Sequence, residues 1–308
     1  MRIVKAVGRF MWREKLVTLS TVVLLTVVIS AVFVHWIAPF DPYAQDIAMR
    51  NKPPGSVGPD GAFHLLGTDP LGRDELSRLM LGSQISMTVG VASVIVSGVL
   101  GTTIGILAGY YRGWFDDIMM RLVDLQMSVP SLLIALLVLY VLGPSFINIV
   151  LVLAITRWMV YARVARGLTL SLRDELFIEA SRSLGASNIR ILLKHLLPNL
   201  LAPILVLATL ELAVMLLTEA SLSFLGLGIQ PPESSWGLML AEGREYLTIA
   251  PWLVAVPGLA ILLTTLSVNI IATWFRARSN NKGTSRSNAE EKDATTPPFA
   301  KTTTVKTT

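Results

Sequence analysis

Apolar residues in this chain gather into long runs separated by short polar connectors, with little of the alternation that marks half-buried strands. A helix of about 20 apolar residues matches the ~30 Å hydrocarbon core and satisfies its own backbone, so such runs predict membrane-spanning helices. Six runs qualify: Leu16–Ala38, Ile85–Ala108, Ile118–Leu142, Phe146–Ala165, Asn199–Leu222 and Ala250–Trp274. Residues 39–84 hold "PFDPYAQD" and "NKPPGSVGPDG", turn formers that read as a large loop and not a packed domain. The polar stretch 279–308 has almost no large apolar side chains and is expected to be disordered. The predicted architecture is all-α: a leading segment 1–15, a first span 16–38, the loop 39–84, a five-helix core 85–278 and the tail 279–308.

Composition supports a polytopic membrane protein. The chain is 53% hydrophobic and 15% charged, where soluble domains carry ~45–50% and ~25%. Zero cysteines exclude disulfides and thiol chemistry. The net charge of +5 does not point to nucleic acid, because the basic residues lie mostly beside the apolar runs. Arg2, Lys5, Arg9, Arg13 and Lys15 precede the first run, and Arg112, Arg121, Arg163, Arg166, Arg173, Arg182, Arg190 and Lys194 cluster in alternate connectors. Lys and Arg are retained in the cytoplasm, so both termini are expected there and residues 39–84 outside. The first run exceeds the ~7–15 apolar residues of a cleavable signal and reads as an anchor.

Within the second run Ser93, Ser97, Gly101, Gly105 and Gly109 recur every fourth position on one helix face. Small residues let helix backbones approach in lipid, so this stripe is expected to pack against a neighbouring helix. Ionisable residues inside spans are costly and mark candidate functional groups. Asp124, Glu211 and Glu219 are the candidates for the solute pathway; Arg121, three residues before Asp124, can neutralise it. Arg157 lies inside the fourth run. His35, His64 and His195 do not cluster, and no metal site is expected.

A charged segment interrupts the apolar runs between the fourth and fifth spans. Ser171 and Asp174 have capping-box spacing, and Leu176, Phe177, Ala180 and Leu184 share a helix face. Gly185 can take the left-handed conformation that ends a helix, and Ser187 can cap the next. A short helix near 172–187, a sharp turn, and a second helix passing through Pro198 into the fifth span are predicted. A passive interfacial helix would share this amphipathicity.

"EASRSLGASNIRILLKHLLP" (179–198) resembles the EAA loop of permease subunits of bacterial ATP-binding-cassette importers, with Ser181 in place of the second alanine. "LLGTDPLGRDELSRLMLGSQISM" (65–87), "ARVARG" (162–167) and "EASLSFLGLGIQPPESSWGLML" (219–240) are similar to blocks of the C-type subunit in the dipeptide, oligopeptide and nickel permease group. The resemblance implies a type I importer permease fold, in a bacterial cytoplasmic (inner) membrane. It implies that Phe177, Glu179, Ala180, Ser181, Leu184, Gly185 and Pro198 couple the chain to an ATPase, with Glu179 capping or pairing an arginine. The implied partners are a homologous second permease, two ATPases that bind ATP and Mg, and an extracytoplasmic solute-binding protein. The cargo it implies is peptide or a related solute such as nickel or glutathione. The chain lacks Gly-x-x-x-x-Gly-Lys-[Ser/Thr], so it is not expected to be an enzyme, and no cofactor is expected in it. A stand-alone secondary transporter or channel would call for inverted repeats, and an intramembrane hydrolase for a nucleophile beside a base; neither feature is evident.

Overall fold

A computed structural model describes residues 14–59 and 61–295, with side chains described as far as Arg278. Arg2, Lys5, Arg9 and Arg13 of the basic head, and residues 296–308 of the tail, lie outside the described residues. The helices are α1 (Lys15–Ile37), α2 (Glu75–Tyr111), α3 (Gly113–Met127), α4 (Ser131–Leu142), α5 (Phe146–Leu172) and α6 (Leu176–Ser183). They continue with α7 (Asn188–Ile191), a π-helical turn over Leu192–Leu196, α8 (Leu197–Phe224), α9 (Trp236–Gly243) and α10 (Trp252–Thr295). Among the described residues five helical stretches are long and apolar enough to cross a membrane, the chain from Asn188 to Phe224 counting as one.

The sixth expected span, Ile118–Leu142, is not one straight helix. α3 and α4 meet at 88°. Pro130 supplies no backbone N–H and its ring disfavours helical backbone at Val129, so the helix breaks there. The last helix also differs from expectation, running as helical backbone to Thr295 where a disordered tail was expected from residue 279. Extending an existing helix avoids the cost of nucleation, and "NAEEKDA" adds strong helix formers.

The centre of the bundle is the contact between α2 and α5. Ser93, Ser97, Gly101, Gly105 and Gly109 are all buried. A Cβ added at Gly101 would lie 2.1 Å from the Trp158 carbonyl oxygen, one at Gly105 2.3 Å from that of Ala162, and one at Gly109 2.9 Å from that of Arg166. The α2 backbone thus lies too close to that of α5 for a side chain at these positions. Around this seam Val89, Ala135, Leu139, Ile149, Leu153, Met215 and Leu222 form one apolar cluster from α2, α4, α5 and α8. α1 packs on α2 and α10 while its other sides, with Leu16, Leu19, Leu25 and Trp36, stay exposed. A helix apolar all round with one packed side fits a lipid surroundings.

The loop after α1 is more ordered than its turn formers suggest. It carries a two-stranded hairpin, β1 (Ser56–Val57) with β2 (Phe63–His64), and delivers Asp74 as the cap of α2. The Asp74 carboxylate accepts from the Ser77 backbone N–H at 2.8 Å and lies 2.9 Å from His64 Nδ1. Buried Asp69 holds both Arg73 (2.6 Å) and Arg78 (2.5 Å), and Arg78 reaches Glu242 of α9 at 2.8 Å. α2 therefore starts ten residues before the expected span, because polar pairing and the Trp236 indole, which donates to the Leu79 carbonyl at 3.0 Å, cover its first turns. This loop and α9 lie at one end of the bundle; α6 and α7 lie at the other.

The seam sets a direct test. Gly105→Val should force α2 from α5 and lower stability by about 1–3 kcal/mol, the usual cost of overpacking. Gly167→Ala, with nothing within 4 Å of the added methyl, should unfold no lower than the parent, since alanine favours a helix interior over glycine. Thermal unfolding in detergent compares them, and equal midpoints for all three chains would contradict the packing described.

Candidate functional site

The segment between α5 and α8 forms a helix–turn–helix at one end of the bundle. α5 runs through Ser171 to Leu172, so Ser171 sits in its last turn, not at a cap, and donates to the Leu168 carbonyl at 2.9 Å. Glu175 instead stands before α6 and makes no side-chain cap. α6 ends as the sequence suggests. Gly185 has φ +79°, the Ala186 N–H donates to the Ser181 carbonyl at 3.1 Å, and the Gly185 N–H to that of Arg182 at 3.0 Å. This left-handed closure satisfies carbonyls the helix leaves open, and it suits glycine because a side chain is strained at that φ. Ser187 then caps α7, accepting from the Arg190 N–H at 3.4 Å.

Helix continues from Asn188 into α8, widened over Leu192–Leu196. Pro198 lacks the N–H that would reach the Lys194 carbonyl, and its ring crowds that oxygen; the π-helical turn accommodates both. The Asn199 side chain takes up the neighbouring His195 carbonyl at 2.6 Å. A stiff connection thus joins the turn to the core.

Two isoleucines fix the element to the bundle. Ile178 and Ile191 are fully buried against Ile106, Tyr110, Leu196 and Leu200. The opposite side is open: Leu176 is 81% exposed, Phe177 42% and Leu184 89%, with Ala180 exposed between them. Ile189 and Leu193 extend this apolar surface. Ser181 turns its hydroxyl back on the Phe177 carbonyl at 2.7 Å, which removes a polar group from the face. Glu179 is exposed and makes no ion pair with a described residue, contrary to the expected cap or arginine pairing. Glu175 precedes it in the position that a cap would need.

The membrane-embedded candidates separate by environment. Asp124 of α3 is exposed and pairs with Arg163 of α5, not with Arg121. Glu211 is buried in α8 and receives a two-pronged bond from Arg157 of α5, with Nε at 2.7 Å and Nη2 at 2.9 Å. Arg157 lies eleven residues into α5, about 16 Å at 1.5 Å per residue, near the middle of a ~30 Å core. At that depth a lone charge is costly, so each group stabilises the other. Glu219 is buried and tied by hydroxyls: Ser223 donates at 2.7 Å and Ser86 at 3.1 Å. Ser223 also accepts from the Ile229 N–H at 3.2 Å, so Glu219 joins α2, α8 and the loop after it. The three carboxylates do not share a site.

Sequence reasoning passed over two pairings. Arg157 was recognised as intramembrane without a partner, although an arginine in one span calls for a carboxylate in another, and Glu211 was available. Buried Asp116 of α3 binds Arg166 of α5 at 2.5 and 2.7 Å, and nothing in the local spacing of either residue signals that bond. Both pairings join α5, one side of the seam, to a neighbouring helix.

Comparison with known proteins agrees with this architecture. The sequence profile described as "Binding-protein-dependent transport system inner membrane component" matches residues 101–281. The "N-terminal TM domain of oligopeptide transport permease C" matches residues 6–54. The "Di/tripeptide transport system permease protein DppC" of Pseudomonas aeruginosa (strain UCBPP-PA14) is 40% identical over 253 residues, covering 82% of this chain and 84% of its own. The "Glutathione transport system permease protein GsiD" of Escherichia coli O6:K15:H31 is 41% identical over 270 residues, covering 87% and 86%. Among solved structures, an inward-facing form of the MetNI methionine ABC transporter superposes with a TM-score of 0.52 at 18% identity, covering 65% of this chain and 95% of that one. Its likeness concerns the fold. With the profile spanning more than half of the residues and relatives near 40% identity along most of the length, the chain belongs to the family of binding-protein-dependent transport system inner membrane components.

Proposed function

We propose that this chain is the C-type membrane subunit of an importer for peptides or a related solute, moving cargo by alternating access driven by partner ATPases. The observation that carries the coupling part is the exposed apolar face of α6 beside a glycine-closed turn. Apolar side chains left in water at a bundle end are stabilised when a partner covers them. Phe177, Ala180 and Leu184 are the docking face in this reading, with Ser181 keeping its hydroxyl inward. Gly185 sets the angle of the turn, and Pro198 lies in the stiff connection to α8. ATP and Mg belong to the two ATPases. A homologous second permease completes the pathway, and an extracytoplasmic binding protein delivers cargo to the loop end. Of the pathway candidates, Asp124 is the exposed one; Glu211 and Glu219 act by holding helices together. Relatives named for di/tripeptides and for glutathione support the cargo class without choosing within it.

Replacing a docking anchor by a charge tests the face. Ala180→Asp should release the ATPases, because an unpaired buried charge costs ~3 kcal/mol or more, roughly a hundredfold in affinity. The permease itself should still insert, since Ala180 touches no core cluster. Co-purification measures this, and a variant that retains its ATPases with hydrolysis still stimulated by loaded binding protein would refute the docking face.

Topology gives a second test. The Lys and Arg bias supports a cytoplasmic position for the α6 end and both termini. Ile47→Cys and Val57→Cys, both at exposed positions, should react with an impermeant thiol reagent applied to intact cells, and Ser183→Cys should react only after lysis. Labelling of Ser183→Cys in intact cells would reverse the orientation.

A further inference from the structure

The docking turn is joined covalently to α5 and α8, yet its polar grip is on a third helix. Tyr110, in the last turn of α2, donates its hydroxyl to Asn188 Oδ1 of α7 at 2.8 Å. Its backbone carbonyl accepts from Arg173 Nη1, in the link between α5 and α6, at 2.7 Å. The Arg182 guanidinium of α6 stands 5.9 Å from the centre of the Tyr110 ring. The ring itself is buried among Ile106, Ile178 and Ile191. One residue thus receives a side chain from each part of the turn: the incoming link, the docking helix and the outgoing helix. Next to it, Arg112 pairs with Asp174 at 3.1 Å.

Gly109, the residue before Tyr110, is the last small position of the α2–α5 seam. Motion imposed on the turn therefore meets a helix that cannot slide relative to α5, because backbones in contact leave no slack to absorb it. We propose that Tyr110 is a positioning residue that ties the docking turn to α2, so that ATPase movement drives α2 and α5 as one body. Without its hydroxyl the turn remains attached through the chain and the apolar contacts. The orientation of α7 against α2 is then held less firmly, and part of each stroke is lost in the turn. This inference rests on the proposed function, since it assigns a part in the coupling of that same element.

The test uses the full complex with its ATPases and binding protein, reconstituted in vesicles, and reads solute imported per ATP hydrolysed. Tyr110→Phe keeps the buried ring and removes the bond; Asn188→Ala removes it from the exposed side. Each should keep the ATPases bound and lower the import-to-ATP ratio by about three- to tenfold, the range set by one hydrogen bond. The double variant should lose no more than either single one, as residues acting through one shared bond do. An unchanged ratio in both single variants, or losses that add in the double, would overturn the proposal. ATPases missing from the unsubstituted complex would overturn the proposed function instead.

Discussion

The structure depends on one contact, the approach of the α2 and α5 backbones along Gly101, Gly105 and Gly109. In lipid there is no hydrophobic gain in hiding one apolar helix against another, so close van der Waals packing must supply the attraction. Residues without side chains make that packing possible. The seam occupies the second half of α2, from Ser93 to Gly109. Towards one end lie the Asp69, Arg73, Arg78 and Glu242 network and the capped start of α2; towards the other lie Tyr110 and the docking turn.

Charge is arranged around this seam in pairs between helices. Arg157 with Glu211 and Arg166 with Asp116 each connect α5 to a neighbour, and Glu219 is satisfied by serine hydroxyls. Breaking such a pair in a low-dielectric interior leaves a charge uncompensated, which makes these links more restrictive than apolar contacts of the same area. The α6 face is the opposite case. Its apolar side chains Leu176, Phe177 and Leu184 are exposed, and in the proposed function a partner covers them.

Much of this was legible in the sequence because lipid imposes simple rules. Run length located the long helices, fourfold spacing identified the buried stripe, and Gly185 with Ser187 announced the turn. The reading failed where tertiary context decides. Ile118–Leu142 has the composition of a span, but Pro130 breaks it; Ser171 and Asp174 have the spacing of a cap, but α5 takes Ser171 into its last turn and ends at Leu172. Residues 39–84 contain turn formers, yet they are ordered by the buried Asp69–Arg73 and Asp69–Arg78 pairs and by the contact of Arg78 with Glu242, a residue far along the chain that local patterning does not reveal. Asp124 found Arg163 rather than Arg121 because helix packing brought another cation closer.

In the proposed function a driving partner sits on the α6 turn and not on the loop end. The sequence contains no cysteine, so a single introduced thiol reports one position without background. Leu184→Cys and Leu65→Cys, at exposed sites on opposite ends, should each be coupled to a short photo-crosslinker in the assembled complex. The account predicts that Leu184→Cys forms a covalent adduct with an ATPase subunit and that Leu65→Cys does not. An adduct with the ATPase from Leu65→Cys, with none from Leu184→Cys, would contradict it.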